Sequence, residues 1–91
     1  MQESLGNNNE KLIIAIAAVV KRLRLSTKKS IYAISAECGV PKSTWQDVET
    51  CGGSCVSLPT LWKISEGLEI PIEKLLAEVR QELGEDFTLI E

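Results

Sequence analysis

The sequence contains no histidine, few aromatic residues (two Trp, one Tyr, one Phe) and only three cysteines among its 91 residues. Histidine is the commonest general base near neutral pH and the commonest metal ligand, so its absence argues against many hydrolytic and metal-dependent activities. Nor does the chain contain a glycine-rich phosphate loop or a recognisable pair of catalytic carboxylates. We therefore predict that the protein is not an enzyme and uses neither metal nor cofactor.

The cysteines, Cys38, Cys51 and Cys55, are odd in number, and the acidic, polar start MQESLGNNNE lacks the basic character of a secretory signal. Free thiols in a reducing cytoplasm are therefore expected. Cys51 and Cys55 flank Gly-Gly-Ser, but one pair of thiolates without histidine makes a poor zinc site.

Long hydrophobic runs are also missing. The most apolar segment, LIIAIAAVV at 12–20, is far shorter than the roughly 20 residues that span a bilayer as a helix. We expect no membrane role for it. Two interpretations are open: a deeply buried helix, or a helix that faces a partner protein.

The net charge of −3 conceals a strong asymmetry along the chain. Residues 11–45 carry seven basic residues and one acidic residue, a net of +6, whereas residues 46–91 carry three basic and ten acidic residues, a net of −7. A basic half of this kind is typical of a face that binds a polyanion. Solvated helix faces that segregate by sign are an equally good explanation of the charge pattern alone.

Apolar periodicity predicts five helices and no strand, at 9–25, 31–38, 42–50, 59–67 and 72–83. Ser30 is a suitable N-cap, Gly39 a helix stop, and Pro41 a helix start, so the second and third helices form a helix-turn-helix. The expected fold class is all-α. Its parts are a flexible tail at 1–9, a helix-turn-helix domain at 10–83 and an extension at 84–91, in which FTLI either packs on the domain or forms an edge strand.

The inward positions follow from the same spacing. We expect Trp45 to be central to the core and Trp62, between Leu61 and Lys63, to point outward. The other predicted core residues are Ile31, Ile34, Cys38, Val40, Val48, Leu58, Leu61, Ile64, Leu68, Leu75, Leu76 and Val79.

Several motifs occur in a characteristic order between residues 20 and 76: Leu23-Arg24, the Ser30 cap, Gly39-Val40, Trp45-x-x-Val48-Glu49, and TLWKISEGLEI at 60–70. In this order and spacing the chain resembles the Cro and phage-repressor (Xre-type) helix-turn-helix family. The resemblance implies a five-helix, lambda-repressor-like DNA-binding domain whose recognition helix is 42–50. It also implies a structural ion pair between Arg24 and Glu49.

The resemblance further implies a DNA-binding surface made by the recognition helix and the start of the second helix. In such helices, lysine donates to guanine and glutamine pairs with adenine in the major groove. The implied contact residues are Ser30, Lys42, Ser43, Thr44, Gln46 and Asp47. Lys28 and Lys29 stand where the family has Gly-Leu, and we expect them to replace the usual phosphate clamp electrostatically.

The first functional hypothesis is a sequence-specific regulator of transcription, a small repressor that binds double-stranded DNA as a homodimer. Two apolar patches are candidates for the dimer interface: Ile13, Ile14 and Ala17, or Leu83, Phe87, Leu89 and Ile90. The second patch is favoured because the family's core is complete by Leu76.

The alternative hypothesis is a protein-interaction module, antitoxin-like or phage-related, that keeps the fold but binds DNA weakly or not at all. Ile31 occupies the position where the family has a phosphate-contacting glutamine, and Asp47 would be repelled by phosphates. The acidic second half of the chain also favours a partner protein over DNA.

Overall fold

The computed structural model describes residues 8–51 and 56–90, and within them the chain forms five helices and no strand. This agrees with the all-α class predicted from periodicity. The helices are α1 (Asn8–Thr27), α2 (Ile31–Cys38), α3 (Lys42–Thr50), α4 (Leu58–Gly67) and α5 (Ile72–Leu83). Cys55, together with residues 52–54, lies outside the described residues. So do residues 1–7 of the predicted tail.

Local capping explains where α2 begins and ends. The Ser30 hydroxyl accepts a hydrogen bond from the Ala33 N–H, which satisfies one of the free donors of the first turn. At the other end Gly39 has φ 75°, the left-handed conformation that glycine adopts without strain, and its N–H donates to the Ser35 carbonyl. The second helix is therefore delimited by the two residues that the sequence indicates.

The start of α4 shows a cap that the sequence interpretation missed. Ser57 accepts from the Thr60 N–H, so that the helix begins at Leu58 and Pro59 falls within its first turn. Leu58 is consequently a first-turn residue and 56% exposed, and the prediction that it lies in the core is wrong. Leu76 is also 44% exposed, because the buried stripe of α5 runs through Ile72, Leu75 and Val79.

The core lies where α1 packs against α3 and α5, and where α2 packs against α3 and α4. Trp45 of α3 is fully buried at its centre, whereas Trp62 is 48% exposed, as predicted. The remaining buried apolar side chains are Ala15, Ile16, Ala17, Val19, Val20, Ile34, Val40, Leu61, Ile64, Leu68, Ile72, Leu75 and Val79. Burial of Val19 and Val20 shows that this part of the apolar run is buried within the domain itself.

The end of α4 approaches α2 closely at Gly67. A Cβ at this position would lie 3.0 Å from the Cys38 sulfur and 3.1 Å from the Cys38 Cβ, tighter than ordinary van der Waals contact. The glycine therefore allows the two helices to meet at a distance that no larger residue permits without displacement. Cys38 packs against the core at this contact.

The C-terminal segment 84–90 folds back as an extension and forms no strand, which decides between the two alternatives for FTLI. The side chain of Asn8 donates to the Thr88 carbonyl at 2.6 Å, and Arg80 donates to the Phe87 carbonyl at 3.2 Å. Phe87 is half-buried, whereas Leu89 and Ile90 are exposed. The segment is thus attached to both α1 and α5 and presents two apolar side chains to solvent.

Candidate nucleic-acid interface

The helix α3 follows α2 through a short turn that fixes its position. Val40 in this turn is buried, and the Pro41 carbonyl accepts from the Trp45 N–H to begin the new helix. No side chain caps the N-terminus of α3, and its first turn contains no acidic residue. The free N–H groups and the helix dipole make this end favourable for an anion such as a phosphate.

The outward face of α3 carries most of the residues that the sequence analysis expects to contact DNA. Lys42, Ser43, Gln46 and Asp47 are exposed, while Thr44 is half-buried. None of the four exposed side chains makes an ion pair or a side-chain hydrogen bond within residues 8–51 and 56–90. Their donors and acceptors are therefore available to an external partner.

The opposite face of α3 is fixed by a buried polar cluster around Glu49. Arg24 makes a bidentate contact with its carboxylate, with Nε at 2.6 Å from Oε2 and Nη2 at 3.0 Å from Oε1. The two side chains are only 11% and 4% exposed, so the predicted ion pair is present and largely buried. The pKa of Arg24 is raised, chiefly by its hydrogen bond to Glu49, against the opposing effect of burial.

The cluster contains a third member that sequence reasoning missed. The indole N–H of Trp45 donates to Glu49 Oε2 at 2.7 Å. The i, i+4 spacing of Trp45 and Glu49 on one helix was the available signal, since residues four apart are neighbours on a helix surface. Arg24 Nη1 also donates to the Lys29 carbonyl at 2.9 Å, so the same guanidinium connects α1, the α1–α2 connection and α3.

The connection before α2 contributes less free charge than the sequence suggests. Lys29 Nζ lies 2.7 Å from Glu37 Oε1, and this hydrogen bond raises the pKa of Lys29. Lys28 is exposed, has φ 64° and makes no ion pair within the described part of the chain. Ser30 uses its oxygen to cap α2, which leaves its O–H free to donate.

Two further positions bear on phosphate binding. Arg22 forms ion pairs with Glu78 at 2.8 Å and Glu82 at 3.4 Å, so its charge is already balanced across the α1–α5 contact. Lys74 and Arg22 together lower the pKa of Glu78, with the Lys74 hydrogen bond as the largest cause. The side chain of Ile31 is half-buried against the core and has no hydrogen-bond donor to offer at the start of α2.

Comparison of the chain with family models, with curated proteins and with solved structures finds no match in any of the three. No helix among the described residues has the length and apolar character required to cross a membrane.

Proposed function

We propose that the protein is a sequence-specific regulator that binds double-stranded DNA, a small repressor in which the five helices of the described residues have a lambda-repressor-like arrangement. The observation that carries the proposal is the contrast between the two faces of α3. One face is fastened to the core by Trp45 and by the buried Arg24–Glu49 pair. The other presents Lys42, Ser43 and Gln46 without partners in the described chain.

These side chains suit the major groove. Lysine donates to guanine, glutamine pairs with adenine through two hydrogen bonds, and serine contacts several bases. The uncapped start of α3 favours a phosphate, and the exposed carboxylate of Asp47 can accept from the amino group of cytosine. Because Trp45 and the Arg24–Glu49 pair already hold α3 in place, DNA binding would need little further ordering of its backbone.

Selection from a randomised duplex library, at low salt and with the full chain, tests this proposal. We expect enrichment of related half-sites about 34 Å apart, the spacing of one DNA turn. Lys42→Ala and Gln46→Ala should each weaken binding to the enriched sequence by about 1 to 3 kcal/mol. Lys63→Ala, an exposed lysine on α4, should leave it unchanged. Failure to enrich any sequence would count against DNA binding.

A second prediction concerns the dimer that two half-sites require. Leu89→Asp combined with Ile90→Asp should convert a dimer to a monomer in sedimentation, because these exposed side chains form the favoured patch. Ile14→Asp tests the rival patch, of which Ile14 is exposed while Ala17 is buried. If Ile14→Asp dissociates the dimer and the Leu89 and Ile90 changes do not, the dimer interface lies on α1 and not on the C-terminal segment.

The protein-interaction module is the second candidate, and particular observations favour it. The Ile31 side chain provides no donor for a phosphate, Lys29 is paired with Glu37, and Arg22 is paired with acidic residues of α5. A chain with these features has fewer free cations than its +6 half suggests. Absence of DNA binding in the selection experiment, with the fold intact, would favour this candidate.

A further inference from the structure

A partly open cavity of about 300 Å³ lies between α1, α3 and the start of α4. Its size is near the lower end of the range for small-molecule pockets, which suits a ligand smaller than a nucleotide. The apolar part of the wall comes from all three regions: Ile13 and Ile16 of α1, Val48 of α3, and Val56 just before α4.

The polar part of the wall has one negative charge. Thr44 and Asp47 of α3 contribute a hydroxyl and a carboxylate, and Ser57 and Thr60 contribute two more hydroxyls. The last two are bonded to each other: the Ser57 hydroxyl donates to the Thr60 hydroxyl oxygen at 3.1 Å, and the Ser57 oxygen accepts from the Thr60 N–H. Asp47 has neither an ion pair nor a side-chain hydrogen bond within residues 8–51 and 56–90, so its carboxylate is the group that would select a ligand.

We propose that this cavity binds a small amphipathic cation, with a short apolar chain between Ile16 and Val48 and an ammonium group at Asp47. The charge of Asp47 determines the chemical class of the ligand. An anion would be repelled by the carboxylate, and a neutral ligand would gain no electrostatic attraction from it. A ligand in this position covers Thr44 and Asp47 on the outward side of α3. The site does not depend on DNA binding and is tested without DNA.

The test uses the full chain with labelled Ile and Val methyl groups and three probes of matched shape: hexylamine, hexan-1-ol and hexanoate. Methyl signals of Ile13, Ile16, Val48 and Val56 should shift on titration with hexylamine, with a Kd in the millimolar range. Hexan-1-ol should bind about fivefold more weakly, and hexanoate more weakly still, the difference expected for one exposed charge pair.

Asp47→Asn keeps the side-chain shape and removes the charge. It should weaken hexylamine about fivefold and make the amine and the alcohol bind alike. Asp86→Asn, the same change in the C-terminal segment and outside the cavity wall, should leave all three affinities unchanged.

Three results would overturn the assignment. Hexanoate could bind as tightly as hexylamine, or hexylamine could shift methyl groups throughout the core instead of those at the cavity. Alternatively, the cavity methyl signals could move when the protein is diluted without any probe, which would show that a second copy covers the site. Loss of DNA binding leaves each of these measurements unaffected.

Discussion

Replacement of Glu49 by alanine is expected to lower the free energy of unfolding by about 3 to 5 kcal/mol, the usual cost of removing one partner from a buried ion pair. The cost arises because the Arg24 guanidinium, 11% exposed, would keep its burial and lose its carboxylate. Trp45, fully buried, would lose the acceptor of its indole N–H as well. Thermal and urea unfolding followed by circular dichroism measure the change.

The matched control is Glu66→Ala, which removes an exposed glutamate from α4 and should change stability by no more than about 0.5 kcal/mol. Glu49→Gln separates the two contacts, because an amide oxygen still accepts from Trp45 but carries no charge for Arg24. It should be less damaging than alanine. Equal, small losses for Glu49→Ala and Glu66→Ala would contradict a structural role for the cluster.

The local pattern of the sequence predicted the helix-turn-helix well, for identifiable reasons. Ser30 and Gly39 act through bonds to residues three or four positions away, and such short-range chemistry is readable from spacing. The error at Leu58 has the same local origin, since the Ser57 cap moved the start of α4. The error at Leu76 reflects tertiary packing, because the angle at which α5 meets the core decides which of two adjacent leucines is buried.

The candidate interface was less predictable because it depends on charges that are distant in sequence. Arg22 meets Glu78 and Glu82 only after α1 and α5 pack together, and nothing in the local sequence around Arg22 indicates this pairing. The Lys29–Glu37 contact similarly needs the bend between α1 and α2. The +6 half of the chain therefore overstates the charge that is free to bind an anion.

The small number of unpaired cations determines the second large expected effect, which is the dependence of DNA affinity on salt. Two of the lysines expected at the DNA surface, Lys28 and Lys42, have no ion pair within residues 8–51 and 56–90, and neither has Lys21, an exposed lysine of α1 that we add to the phosphate contacts. A dimer would then neutralise about six phosphates, so the slope of log K against log salt should be about −5. Affinity should fall by about 10³ between 50 and 200 mM salt, measured by fluorescence anisotropy on the selected duplex.

Individual variants test whether the free lysines produce that slope. Lys42→Gln should reduce its magnitude by about one for each protomer. Arg22→Gln should leave it unchanged, because this guanidinium is already neutralised by Glu78 and Glu82. Glu37→Gln should have the opposite effect and strengthen binding, since it removes the closer of the two carboxylates beside Lys29 and leaves, among the described residues, only Glu69, at 4.0 Å. A slope near zero, or an Arg22→Gln effect as large as that of Lys42→Gln, would show that these lysines do not contact phosphates as proposed.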